Sequence, residues 1–207
     1  MSIVIDGQKL SCQDLHRIAH GSAVTLGAEA SQRMAANAAS MPPGPSILEE
    51  KRHWLVGGFA SDLSPDELCK TFIIGHCAGV GELLPSHLVR ATMAARANVL
   101  ATATTGCRPI AAEVLVDMLN RGVVPDVPSQ GSVGAAGDLA PLAHIARVAC
   151  GYAERPDSVV DYRPNPKEAL ALINGVSMTA ALGAVAVVRM RRVLDSAIAA
   201  TAMTMEA

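Results

Sequence analysis

Apolar residues recur along this chain at helical spacing and seldom in the strict alternation of a half-buried strand. Ile3-Val4-Ile5 reads as a short strand. Ser11-Cys12-Gln13-Asp14 then has the spacing of a capping box and predicts a short helix closed by Gly21. A second helix is expected over residues 28–39. "MPPGPS", Met41 to Ser46, interrupts regular structure, because prolines and glycine continue neither helix nor strand. Ser64-Pro65-Asp66-Glu67 supplies an N-cap, a proline at N1 and an acid at N3 for a helix through "LCKTFIIGHCAG" that stops at the Gly79–Gly81 pair. Ser86 opens a helix to about residue 105, and Pro109 opens one to Arg121, ended by Gly122. "VVPDVPSQGS" reads as an extended loop, and Asp138 to about Cys150 returns to helix. Asn165-Pro166 starts one more, broken around Asn174-Gly175, and residues 177–207 read as one long helix. No internal repeat is visible. The expectation is a mainly α fold with little strand, residues 1–207 forming a single region.

The last helix is apolar on nearly every turn: Met178, Ala181, Leu182, Val185, Val188, Val193, Leu194, Ile198 and Met203. Such a helix belongs inside a bundle. With little chain left to cover it, a lone copy would expose an interface-sized patch, so an oligomer is expected.

Composition narrows the picture. Half of the 207 residues are hydrophobic, enough for a sizeable core, and one Trp, two Tyr and two Phe favour close-packed helices over a sandwich or barrel. A net charge of -2, with no basic stripe, argues against a nucleic-acid partner. The five cysteines are scattered without a C-x-x-C pair, which fits a reduced, cytoplasmic chain. "MSIVIDGQKL" has no secretory pattern, and the apolar run Val176–Val188 is too short to span a bilayer, so a soluble protein without a membrane partner is expected.

The chemistry-bearing stretch is "GSVGAAGDLAPLAH", Gly131 to His144. It resembles the signature of the histidine/phenylalanine/tyrosine ammonia-lyase superfamily, in which Ala-Ser-Gly cyclises to a methylidene-imidazolone electrophile (MIO). The resemblance extends along most of the chain, through "GHCAGVGELL", "MAARANVLATATTGCRP", "LNRGVVPDVPSQGS" and "ALALINGVS". It implies the N-terminal half of the ammonia-lyase helical fold, with the final helix in a central bundle built from several subunits. It also implies site roles for His76 and for Asn174, which would sit beside the electrophile.

Three departures from the pattern bear on function. The triad here is Ala135-Ala136-Gly137, and a methyl group has no hydroxyl to lose as water, so no MIO is expected. The family's catalytic-tyrosine loop is matched only by "HWLVGGFA", which puts His53 at the tyrosine position. Family members also continue well beyond the position of Ala207, through groups that complete the lyase site. Each residue has a plainer reading: His76 as a packing histidine, His53 as a loop histidine, Asn174-Gly175 as a turn. His144 reads as structural, and His16 and His20, spaced like a metal pair but without a third ligand, read as a solvated face.

Three functional readings remain. One is an MIO-less subunit of a hetero-oligomeric enzyme, completed by a chain resembling the second half of the lyase fold. It would perform acid–base elimination, addition, isomerisation or cyclisation on a small amino-acid-like or carbonyl metabolite, without cofactor or metal. The others are a non-catalytic scaffold or regulatory subunit, with or without homo-oligomerisation, and an MIO lyase inactivated by a serine-to-alanine change. Retention of His76 and Asn174 favours the enzyme.

Overall fold

The computed structural model describes residues 2–42, 44–57, 62–133 and 137–207. Among them are ten helices and two small two-stranded sheets. Strand β1 (Ile3–Ile5) pairs in parallel with β2 (Val24–Leu26), and the two are joined across α1 (Cys12–Ala19). Helices α2 (Ala28–Ser40), α3 (Ile47–Glu50), α4 (Arg52–Leu55) and α5 (Pro65–Gly75) follow. Strand β3 (Val80–Leu83) pairs antiparallel with β4 (Pro128–Gln130), and between them run α6 (Ser86–Ala101) and α7 (Ile110–Arg121). Helices α8 (Leu139–Ala149), α9 (Pro166–Ile173) and α10 (Ser177–Glu206) complete the order.

The predicted caps form. Ser11, Ser64 and Asn165 each accept a hydrogen bond from the backbone of N3, whose acidic side chain bonds back to the cap. Gly122 closes α7 in the left-handed conformation, as a C-terminal glycine should. Two boundaries differ from expectation: α5 ends at Gly75 and α6 at Ala101, each a few residues early.

Helix α6 is the central element, since small residues let its neighbours approach closely. Ala91, Met93, Ala94, Ala97, Leu100 and Ala101 are fully buried, and α1, α7 and α10 pack around them. Arg90 reinforces this layer, donating from Nε to the Ile18 carbonyl and from Nη1 to the Leu119 carbonyl. The Asn120 amide ties α7 to β2 by pairing with both backbone groups of Val24. A second layer of α5, α8 and α9, mutually packed, meets the first through α7 and α8.

Helix α10 has two regimes. Met178, Ala181, Ala184, Val185 and Val188 are buried by the chain itself. From Arg189 onward every residue is exposed, including Met190, Val193, Leu194, Ile198 and Met203. The apolar set read from the sequence as one interface therefore divides: Val185 and Val188 belong to the core, and only the distal half is bare.

All five cysteines are free; Cys69, Cys107 and Cys150 are buried, and burial raises their thiol pKa values, that of Cys69 to about 12. No helix among the described residues is long and apolar enough to cross a membrane.

His16 is not on a solvated face. It is buried, stacked at 4.3 Å on His20, whose ring lies 5.6 Å from that of His87. Arg189 donates to His87 Nε2 at 3.0 Å, so that nitrogen carries the lone pair. Burial first, and then His20, Arg192, Arg189 and His87, hold the His16 pKa below 6.5; burial, Arg189 and His20 do the same to His87. With folded values below the unfolded one, the unfolded chain takes up protons first as pH falls. Stability contributed by these groups is thus intact above pH 6.5 and lost as pH drops through their folded values. Thermal unfolding should therefore move to lower temperature between pH 7.5 and 5.5. His16→Gln should flatten that dependence, and an unchanged slope in the variant would refute the assignment.

Candidate functional site

Three of the candidate positions lie at the ends of the mutually packed helices α5, α8 and α9. His76 is the C-cap of α5, half-buried, its ring packed 4.5 Å from that of Phe72. Its Nδ1 lies 2.7 Å from the Phe72 carbonyl. A carbonyl only accepts, so Nδ1 carries the hydrogen and Nε2 presents a lone pair. Gly137 precedes α8, and Asn174 is the C-cap of α9, with its side chain exposed.

Gly137 and Gly175 are drawn together in an isolated parallel bridge, and the Asp138 N–H donates to the Gly175 carbonyl at 2.7 Å. Both glycines have positive φ, +91° and +142°. A Cβ at Gly137 would run into the Gly175 carbonyl, and one at Gly175 would stand 2.7 Å from Arg96 Nη1. Glycine is needed at both positions, for conformation and for approach. The Asp138 carboxylate, wholly buried, accepts from the Thr179 N–H at 2.9 Å, the Thr179 hydroxyl at 2.8 Å and the Ser132 hydroxyl at 2.8 Å. Asp138 thus opens α8 while capping α10 from outside, with its charge against the positive end of that helix.

Ala135 and Ala136 lie outside the described residues. His53 sits on α4, exposed and without a hydrogen bond among the described residues, and α4 packs mainly on α3 rather than on the helices that carry His76 and Asn174. His144 on α8 is buried with neither ring nitrogen hydrogen-bonded, and burial, then Arg147, lowers its pKa. It would stand 3.1 Å from a Cβ at Gly79, so the turn after His76 rests on it. No group of three His, Cys, Asp or Glu side chains among the described residues is placed to hold a metal.

One polar pair escaped sequence reasoning. Arg96 and Ser177 are both 3% exposed, and the Arg96 Nε and the Ser177 hydroxyl have no hydrogen-bond partner among the described residues. Both border a cavity of about 380 Å³ that Asn174 also lines. Arg96 lies within "MAARANVL", but nothing in that stretch marks an arginine as buried.

The sequence profile described as aromatic amino acid lyase matches residues 10–207. Histidine ammonia-lyase of Anaeromyxobacter sp. (strain K) is 34% identical over 235 residues, covering 99% of this chain and 46% of that protein. The histidine ammonia-lyase of Gloeobacter violaceus is 36% identical, again over 99% of this chain and 44% of its own length. Among solved structures, histidine ammonia-lyase from Trypanosoma cruzi superposes with a TM-score of 0.75 at 29% identity, over 93% of this chain and 41% of that one. Pantoea agglomerans phenylalanine aminomutase gives 0.75 at 28% identity, over 94% and 42%. The chain therefore spans a little under half the length of these relatives. With the profile match running nearly from end to end, the chain belongs to the aromatic amino acid lyase family.

Proposed function

We propose that this chain is an MIO-less, ammonia-lyase-like subunit of a cytoplasmic hetero-oligomeric enzyme. In this reading residues 1–207 act as one lyase-like region, and a chain resembling the second half of the fold completes the site. The observation that carries the reading is the seam at Gly137–Gly175. Both glycines, Asp138 and Asn174 are in place around it, while position 136 holds alanine. The residues present do not fit MIO, whose exocyclic methylidene arises only by loss of a side-chain hydroxyl.

The remaining groups suit proton transfer on a small amino-acid-like or carbonyl-containing metabolite: elimination, addition, isomerisation or cyclisation without a cofactor. His76 Nε2 is an available base, fixed in tautomer by the Phe72 carbonyl. The Asn174 amide can donate to a developing oxyanion. His53 serves as a second proton carrier once a partner covers it. Free cysteines support the cytoplasmic assignment.

The exposure of His53 and Asn174 favours a second reading, a non-catalytic scaffold or regulatory subunit. Two measurements separate the possibilities. The intact mass of the protein from its native cell should equal that of the encoded sequence; a mass lower by two waters would mean that a cyclised cofactor forms and would end the MIO-less reading. The complex that co-purifies with the untagged chain should consume a metabolite from its own cell extract, and His76→Gln should slow this about 100-fold. Unchanged turnover in His76→Gln and His53→Gln would favour the scaffold. Encoded serine at position 136 in the native gene would favour the inactivated lyase.

A further inference from the structure

The cavity at the start of α10 has an unusual floor. Arg96 is a buried guanidinium with no carboxylate or carbonyl partner among the described residues, and the Ser177 hydroxyl beside it is equally unpaired. Leu10, Leu15, Val99, Val176 and Ala180 supply apolar walls, and no acidic side chain lines the space. Burial lowers the Arg96 pKa to about 10, which still leaves the group charged at neutral pH. A buried, unpaired cation is costly, and a stable assembly supplies the opposite charge. The positive end of α10 adds to the demand: Asp138 caps the Thr179 N–H, but Ser177 stands two residues nearer the helix start.

We propose that this cavity is a socket for one aspartate or glutamate side chain of the polypeptide that completes the lyase fold. The carboxylate pairs with the Arg96 guanidinium and accepts from the Ser177 hydroxyl, while its methylene stem lies against the apolar walls. Three observations favour a protein side chain. The opening lies beside α10, whose distal half is bare and apolar, so a chain packing along that helix passes the socket. The charge missing from the cavity is negative. More than half of the length of the relatives lies outside the part matched here. The proposal rests on the reading that a second polypeptide completes the fold, and it adds the residue chemistry of the contact.

The test uses the native complex carrying Arg96→Lys, treated with a carbodiimide that joins amines to adjacent carboxylates. The expected product links the new amine to an aspartate or glutamate outside residues 1–207, located by peptide mass spectrometry. A link to an acid within residues 1–207, or none while other links form, overturns the socket and leaves the hetero-oligomer standing. Absence of any complex removes the underlying reading instead. Because Arg96→Lys could disturb folding, the isolated wild-type chain is also heated with propionate or propionamide. Propionate, an analogue of the acidic side chain, should raise Tm and propionamide should not, and Arg96→Met should abolish the difference. Equal shifts with both compounds, or with both proteins, refute the socket.

Discussion

Glutamate in place of both Leu194 and Ile198 is expected to release this chain from its partners and to leave its own fold unchanged. Both side chains are about 60% exposed on the distal half of α10, where the chain offers them nothing to pack against. Burying such a side chain contributes about 1.5–3 kcal/mol, so two lost anchors remove roughly 3–6 kcal/mol before the cost of desolvating two carboxylates. At about 1.4 kcal/mol per decade, association should weaken at least 100-fold. Sedimentation velocity at micromolar concentration would show a slower species with an unaltered circular dichroism spectrum. Val185→Asp is the instructive contrast. That residue is 2% exposed between α10 and its own neighbours, so a charge there should unfold the chain and not simply dissociate it. A wild-type chain that sediments as a compact monomer would refute the interface.

The second large effect is expected at Glu168, which is wholly buried. Its carboxylate accepts from Arg108 Nε at 2.9 Å, Arg108 Nη2 at 2.7 Å and the Arg108 N–H at 2.9 Å. It also accepts from the Asn165 N–H at 3.1 Å and the Tyr162 hydroxyl at 3.3 Å. One side chain thus caps α9, anchors the turn before α7 and satisfies a buried phenol. Removing one partner of a buried ion pair costs about 3–5 kcal/mol. Arg108 is half-exposed and can turn to water, which places Glu168→Ala at the lower end, about 3 kcal/mol. For a chain of this size that is a fall in Tm of roughly 6–12 °C. Glu168→Gln, which keeps an acceptor but not the charge, should fall between. A Tm for Glu168→Ala equal to wild type would show that the network contributes nothing.

Glu168 also shows where sequence reasoning reaches its limit. Asn165 and the proline after it made the start of α9 legible, and Glu168 completes that cap locally. Its pairing with Arg108, sixty positions away, leaves no local trace. Asp138 behaves alike: it reads as a helix opener, yet its carboxylate serves α10. The strands of three or four residues showed no period long enough to detect, and only β1 was anticipated. Ser46 and Glu49 form a further capping box directly after the proline-rich loop, but the four residues of α3 are too few to show a helical period. The site was legible in part: the resemblance pointed to His76, Gly137 and Asn174 through their surroundings, but the burial of Arg96 follows from packing alone.

The seam at Gly137 and Gly175 limits which substitutions the chain can accept where α8 meets α10. Every hydrogen bond described across it comes from backbone atoms, from Asp138, or from Ser132 and Thr179. Among the described residues, two glycines and one carboxylate thus fix where α8 and α10 meet. A side chain at either glycine would break that join.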